Sequence, residues 1–452
     1  MIIKSKGCYD IYGIEAKKWN YVNSVIDDLM ERYNYDYIRT PIFEDTNLFH
    51  RGVGEDTDIV TKETYDFKDR SNRPLTLRPE GTAGVVRSYI ENKMYGSNKP
   101  VKLYYNGTMY RYERPQAGRD RELTQFGCEV IGSTDAIVDA EVISIPVNLF
   151  KMLGLKNVLV KINTIGDSES RDNYRDALVK YFQKYEPELC DDCKRRLNTN
   201  PLRILDCKVD RDKDYMKNAP KISEYLNEES KLRFEKVQTY LEAMNIDYEI
   251  DESLVRGLDY YNHTVFEIEA SVKDFGSNNV LTGGGRYNGL VKKLDGPDDD
   301  GVGFAIGLGR LMLALEKENI NLPINNSIDI FVMYVNDEEK QIAAGLVQEL
   351  RMNGYSVDTD YASRSLKSQF KQADRLKSKL LIILNSEEIA NGNIKVKNNI
   401  TKKEDLINFN YLNYYIDEAL TNIEYESNLE QLKNSSCSCG EDCQCDDCHC
   451  EK

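Results

Sequence analysis

Apolar residues recur at Ile14, Trp19, Val22, Ile26, Leu29 and Tyr33, spacings near three and four that lay them along one stripe of a helix. The spacing predicts an amphipathic helix from Ile14 to Tyr33. From Lys99 the pattern changes. Pro100-Val-Lys-Leu-Tyr-Tyr105, then Met109 to Glu113, then Leu123 to Ile131 are short runs rich in Tyr and Val, residues suited to a pleated, half-buried surface. Between the last two, Arg114-Pro-Gln-Ala-Gly-Arg-Asp-Arg121 carries the Pro and Gly of a loop, so two strands joined by an arginine-rich loop are predicted.

Residues 168–248 are charged and helix-like and interrupt the strand-forming material on either side, which reads as a helical insertion. Strand character returns at Thr264 to Ala270, and Gly303 to Gly307 leads into a periodic helix, Leu308 to Glu316. After Asn321 the chain alternates strand, helix, strand, helix, strand: Ile328 to Val335, Glu338 to Met352, Ser356 to Asp360, Leu366 to Lys377, Leu380 to Asn385. That alternation predicts a separate α/β domain.

Charge narrows the functions open to such a chain. Sixty basic against 76 acidic residues in 452 leave a net charge of −16. A protein that coats nucleic acid or anionic membrane with its whole surface is excluded, and any polyanion site is local. No run approaches the roughly 20 apolar residues that span a bilayer, and the start MIIKSKGCYDIYGIE lacks the regions of a signal peptide. A cytoplasmic protein with no membrane partner is expected. Of the 11 cysteines, five (Cys8, Cys128, Cys190, Cys193, Cys207) are spread over the long core and six crowd between Cys437 and Cys450. In a reducing compartment that crowding points to metal or redox chemistry rather than disulfides.

The candidate chemistry is set first by what is scarce. With only His50, His263 and His449, metalloprotease helices and Ser-His or Cys-His hydrolases have little to work with. Gly283, Gly285 and Gly289, like Gly301, Gly303 and Gly307, leave three residues before the last glycine where the dinucleotide fingerprint leaves two, and no P-loop is present. Arginines offer another scheme for phosphate. Arg111, Arg114, Arg119 and Arg121 stand on or near one hairpin, while Arg256 and Arg310 each adjoin a glycine. Guanidinium groups grip phosphate oxygens bidentately and keep their charge at any relevant pH.

The string Met109-Tyr-Arg-Tyr-Glu-Arg-Pro-Gln-Ala-Gly-Arg-Asp-Arg-Glu-Leu-Thr-Gln-Phe-Gly-Cys-Glu129 resembles motif 2 of class II aminoacyl-tRNA synthetases, specifically the histidyl-tRNA synthetase family. Val255-Arg-Gly-Leu-Asp-Tyr-Tyr261 resembles that family's histidine-binding signature, and Thr76-Leu-Arg-Pro-Glu-Gly-Thr82 and Gly283-Gly-Gly-Arg-Tyr-Asn-Gly289 fit it too. The resemblance runs from about Asp10 to about Ala419.

It implies an α+β fold: a class II antiparallel-sheet catalytic core over residues 1–324, with the insertion at about 168–248, then an α/β anticodon-binding domain at 325–424 and a Cys-rich tail at 425–452. It implies ATP as substrate with Mg²⁺, L-histidine and histidine tRNA as partners, and a homodimer. Arg111 would hold the ATP α-phosphate, Arg119 and Arg310 would reach the outer phosphates, and Arg256 would stabilise charge as the histidine carboxylate attacks. Glu80 and Gln125 match positions that take the α-ammonium group, Glu129 and Tyr261 those that read the imidazole, and Tyr287 lines the same pocket. In the motif 2 loop, Arg114 and Gln116 would face tRNA. One departure stands at Gly309, where the family usually carries glutamate before the motif 3 arginine, here Arg310.

In the second domain, Arg364, Lys367, Lys371 and Arg375 fall on one helix face and Leu366, Phe370 and Ala373 on another. This basic stripe is the local polyanion site, and tRNA backbone is its expected ligand. Cys190-Asp-Asp-Cys193 with Cys207 has a zinc-like CxxC pair but no obvious fourth ligand, so buried or incidental thiols are the expected reading and a metal site the alternative. The tail is different: Cys437, Cys439, Cys443, Cys445, Cys448 and Cys450 with His449 can wrap a soft ion, Zn²⁺ or Cu⁺. The rival reading is a catalytically silent paralogue resembling the regulatory subunit of ATP phosphoribosyltransferase. Such a subunit would lack both the anticodon domain and the Arg256-Gly-Leu-Asp-Tyr-Tyr261 signature.

Overall fold

Val101–Tyr110 pairs antiparallel with Glu122–Ile131 from Val101 opposite Ile131 to Tyr110 opposite Glu122, so the arginine-rich segment is the loop of one long hairpin. The runs beginning at Val101 and at Met109, expected as separate, form one strand. In this computed structural model the described residues are 1–55, 57–115, 118–207, 209–270, 272 and 279–435. Contacts divide the chain into two compact units, Met1–Pro323 and a second beginning at Ile324.

An eight-stranded sheet organises the first unit. Beside Glu122–Ile131 lies Gly301–Gly307, followed by Val280–Arg286, Asn262–Ala270 and Val158–Thr164, each antiparallel to the last. Two-residue strands close the edges in parallel, Asp36–Tyr37 beside Val101–Tyr110 and Glu249–Ile250 beside Val158–Thr164. The helix Ala136–Met152, started by Asp135 accepting the Ile137 N–H at 2.9 Å, carries a nearly continuous apolar sequence and is buried along most of its length. Helix Gly13–Arg32 buries Val22, Ile26, Leu29 and Met30, whereas Ile14 at its start is exposed, so the apolar stripe covers only its C-terminal two-thirds.

Between Ser168 and Ala243 the chain is helical, as Ser168–Phe182, Asp191–Thr199, Asp214–Lys217 and Glu228–Ala243 with short 3-10 turns between them. The first three surround a small separate core containing Tyr174, Phe182, Leu197 and Tyr215. The last instead packs on Ala136–Met152, where Arg233 Nη2 donates to Asp139 at 3.0 Å.

The second unit holds a five-stranded sheet. Val357–Thr359, Ile330–Met333 and Leu380–Ile383 are parallel, and Asn393–Asn398 and Glu404–Asn408 continue the sheet antiparallel. Helices Asp337–Met352 and Leu366–Arg375 follow the alternation read from the sequence; the two antiparallel strands were not foreseen. Helix Leu412–Ser435 closes the described chain. Among the described residues no helix is long and apolar enough to cross a membrane.

Candidate active site

Cross-strand pairing places Gln125, Gly127 and Glu129 on one face of the sheet, with Ala305 and Gly303 beside them and then Gly283, Gly285 and Glu267. Much of this floor has no side chain, and other groups fill the space. The Tyr105 hydroxyl lies where a Cβ on Gly127 would stand, and the Arg256 guanidinium lies where a Cβ on Gly283 would stand.

A cavity of about 1300 Å³ opens over this floor. It is lined by Arg111, Arg119, Arg256 and Arg310 together with Gln125. Arg111 Nε donates to the Pro79 carbonyl at 2.8 Å, and its Nη1 lies 3.8 Å from Glu113, whose other oxygen is 3.6 Å from Arg119. Glu113 therefore spaces the two guanidiniums. Arg256 pairs with Glu267 and lies 5.8 Å from the centre of the Tyr261 ring. Arg310, in the first turn of helix Leu308–Lys317, has its pKa lowered by burial and by the neighbouring Arg119 charge. Next to it Gly309 also lines the cavity, and a Cβ there would meet open space.

Behind the cavity the polar groups are enclosed. Glu129 is fully buried; Thr82 Oγ1 donates to its Oε1 at 2.6 Å and the Tyr287 hydroxyl to its Oε2 at 2.7 Å. Burial pushes its pKa up to about 8, against the pull of those two donors. Glu80 accepts the backbone N–H groups of Thr82 and Ala83 at 2.7 and 2.9 Å, tying its carboxylate to the N-terminus of helix Thr82–Glu91. Gln125 is buried and its Oε1 has no hydrogen-bond partner among the described residues. Tyr261 is buried beside Tyr260, with ring centroids 4.7 Å apart.

The residues singled out from the sequence thus fall into two groups. The cavity gathers Arg111, Arg119, Arg256, Arg310 and Gln125, while Glu80, Glu129, Tyr261 and Tyr287 form the enclosed cluster behind it. Arg114 is exposed on the hairpin loop and does not line the cavity. Gln116 lies outside the described residues, as do Cys437, Cys439, Cys443, Cys445, Cys448, His449 and Cys450. Three participants were not read from the sequence: Tyr105, whose buried hydroxyl lacks a partner among the described residues; Glu113, between two arginines; and Glu267, beneath Arg256. Glu267 was legible in principle, because the period-two alternation of Thr264 to Ala270 assigns it to the face opposite Phe266 and Ile268.

In the second unit Lys367, Lys371 and Arg375 are exposed along helix Leu366–Arg375, whose inner face buries Gln369 and Ala373. Arg364 precedes the helix and pairs with the buried Asp360 at 3.3 Å.

A family model described as histidyl-tRNA synthetase matches residues 7–311, and one described as an anticodon binding domain matches residues 329–418. The histidine–tRNA ligase of Anoxybacillus flavithermus is 53% identical over 400 residues, covering 88% of this chain and 95% of that protein. This chain belongs to the histidyl-tRNA synthetase family. The histidine–tRNA ligase of Staphylococcus aureus is 50% identical over 417 residues, 92% of this chain and 99% of that one. The crystal structure of the apo S. aureus histidyl-tRNA synthetase superposes with a TM-score of 0.80 at 44% identity, covering 92% of this chain and all of that chain (100%). The family's mixed architecture is the one described above, an antiparallel-rich sheet core followed by an anticodon-binding domain. A domain that the silent paralogue would lack is therefore present.

Proposed function

We infer that the chain is a histidine–tRNA ligase that joins L-histidine to ATP as histidyl-adenylate with release of pyrophosphate, then passes the histidyl group to the 3′ end of histidine tRNA. The observation that carries this reading is the convergence of Arg111, Arg119, Arg256 and Arg310 on one cavity beside a buried Gln125 oxygen that has no partner among the described residues.

In the activation step the histidine carboxylate attacks the α-phosphorus of ATP. The attacking group is already ionised, so the step needs no proton transfer; it needs fixed positive charge where the phosphoryl oxygens gain negative charge. Arg111, braced on the Pro79 carbonyl, and Arg256, braced on Glu267, are assigned to the α-phosphate. Arg119 and Arg310 are assigned to the outer phosphates and the departing pyrophosphate. Both braced guanidiniums are pre-oriented, so little reorganisation remains at the moment of reaction.

The α-ammonium group of histidine gives the Gln125 Oε1 its missing partner, with Glu80 supplying negative charge nearby. Glu129 accepts an imidazole N–H, the Tyr261 hydroxyl serves the other ring nitrogen, and Tyr287 holds Glu129 in place. A substrate without ring nitrogens leaves these buried groups unpaired, which penalises it heavily. Mg²⁺, when bound, would screen the ATP phosphates. The carboxylates that would hold it are Glu63, whose pKa is raised by burial and then by Glu113, and Glu113 itself, both lining the cavity beside Arg111 and Arg119.

Arg114 and Gln116 are assigned to the acceptor end of tRNA, and Arg364, Lys367, Lys371 and Arg375 to its backbone near the anticodon. Family resemblance supports a cytoplasmic homodimer. The Cys437 to Cys450 segment, with His449, is proposed as a soft-metal ligand set for Zn²⁺ or Cu⁺. Aminoacylation with labelled histidine tests the function: purified protein should charge histidine tRNA and leave a non-cognate tRNA uncharged. Failure with folded protein, ATP and Mg²⁺ present would reject the assignment.

A further inference from the structure

The cysteines that looked incomplete in the sequence acquire a fourth partner in the fold. Cys190 caps the N-terminus of helix Asp191–Thr199, and Cys193 lies in its first turn, so the pair is brought to one end of the helix. The chain then returns through the 3-10 turn Pro201–Ile204, which carries Cys207 and Asp210 back to the same point. The three sulfurs and one carboxylate oxygen of Asp210 all lie within 4.8 Å of one another. Backbone bonds hold the two halves together: the Cys190 N–H donates to Asp210 Oδ2 at 3.1 Å and the Asp210 N–H to Cys207 Sγ at 3.4 Å.

The spacing discriminates between the chemistries open to clustered thiols. Tetrahedral zinc with bonds of about 2.3 Å to sulfur sets its ligand sulfurs about 3.8 Å apart. Cys190 Sγ and Cys207 Sγ are 3.6 Å apart, close to that edge length and far from the roughly 2.05 Å of a disulfide. Cys193, Cys207 and Asp210 are buried and Cys190 is half-buried, as expected of a closed structural site.

The surroundings give such a site a purpose. Cys193 and Cys207 belong to the small core around Tyr174, Phe182 and Leu197, which contains no strand. Cores of that size commonly need a covalent or metal staple. The same segment forms a wall of the arginine-lined cavity, which is also lined by Cys190, Arg196, Arg203 and Cys207. Arg196 and Arg203 reach out of the segment to Asp58 at 3.5 and 3.1 Å.

We propose that Cys190, Cys193, Cys207 and Asp210 form a structural zinc site that fixes the helical insertion as one wall of the cavity. The site is independent of the cysteine-rich tail and of the ligase assignment.

The tail thiols would obscure the measurement, so it uses the full-length chain with Cys437, Cys439, Cys443, Cys445, Cys448 and Cys450 all replaced by Ser. Purified with zinc and freed of loose metal by dialysis, this protein should retain about one zinc per chain, the stoichiometry of a closed four-ligand site. Adding Cys193→Ser or Asp210→Asn should lower the retained zinc at least about tenfold. Because buried-site variants can fail to fold, a second measurement uses the tail-substituted parent alone. A chelator should lower its unfolding temperature and added zinc should restore it. Replacement of zinc by Co²⁺ should give sulfur-to-cobalt absorption that Cys190→Ser reduces by about a third, the share of one thiolate in three. A folded, zinc-free parent whose unfolding temperature ignores both chelator and zinc would overturn the proposal. Zinc retained in full by a folded Cys193→Ser protein would do the same. Histidine activation is assayed separately and decides neither outcome.

Discussion

The Tyr287 hydroxyl donates to Oε2 of Glu129 at 2.7 Å while Thr82 holds Oε1, so a fully buried carboxyl group is gripped from both sides by uncharged donors. Burial dominates and lifts its pKa to about 8. In the folded chain without histidine, Glu129 keeps its proton through neutrality, whereas in the unfolded chain it loses it near the ordinary value of about 4.3. Between those values folding takes up a proton, so this group's contribution to stability falls as pH rises and levels off above the folded pKa. An imidazole N–H bonds more strongly to the ionised form as acceptor. Histidine binding should therefore tighten from about pH 6.5 to 8 and release a proton near neutral pH. Calorimetry in two buffers of different ionisation heat reads this directly, and proton uptake in place of release would contradict it.

Glu129→Gln is close in shape to the protonated side chain, so the fold should survive, as judged by an unfolding temperature within a few degrees of the parent. Without an acceptor that can ionise, histidine affinity should fall by about 10²-fold or more. A loss under about threefold would remove Glu129 from the imidazole pocket.

Arg256→Ala should leave histidine binding near its parent value and lower adenylate formation by about 10²–10³-fold, the cost of removing one pre-oriented charge from a transition state. Glu267 loses its partner in this variant, so Arg256→Ala with Glu267→Gln separates the lost phosphate contact from the stranded carboxylate. Equal loss in the single and double variants supports the contact. Recovery in the double variant would make Arg256 a structural partner of Glu267.

Arg286 is fully buried, and its Nε donates to Asp139 at 3.1 Å, while Arg233 reaches the same carboxylate at 3.0 Å. The Arg286 and Arg233 charges hold the Asp139 pKa below the usual carboxylate range against burial. Asp139→Asn leaves two guanidiniums without their nearest counter-charge, Asp300 being 3.9 Å from Arg286 Nη1, and should cost about 3–5 kcal/mol in urea unfolding. A change under about 1 kcal/mol would mean the pair contributes nothing net.

Replacing Lys367 and Lys371 by Ala, both exposed on helix Leu366–Arg375, should weaken tRNA charging, flatten its salt dependence by a slope of about one to two, and leave histidine activation intact. Should activation and charging fall together, the helix has a structural role.

Much of this architecture is legible in residue order, because periodicity and turn chemistry act locally. The alternation from Ile330 to Ile383 announced its parallel strands, and the loop between Tyr110 and Glu122 was marked by Pro115 and Gly118. The strand Asn393–Asn398 escaped notice because only Ile394 and Val396 carry its alternation, and Glu404–Asn408, at the sheet edge, because its buried face is thin and it opens on Glu404 and Asp405. Long-range partners were hidden for a different reason. Nothing in Gly283-Gly-Gly-Arg-Tyr-Asn-Gly289 says that Arg286 turns to Asp139 while Tyr287 turns to Glu129, since those partners stand on helix Ala136–Met152 and strand Glu122–Ile131, far away in the chain. Nor does Cys190-Asp-Asp-Cys193 announce Asp210, which reaches the cluster only through the fold of the intervening turns.

The central claim is that the arginine-lined cavity activates histidine. Exchange of radioactive pyrophosphate into ATP by the purified full chain, run with histidine and with each of the other amino acids, tests it most directly. The expected result is rapid exchange that requires histidine and ATP and is lost in Arg256→Ala. Exchange absent in folded protein, or equal with histidine and with an amino acid lacking ring nitrogens, would contradict it.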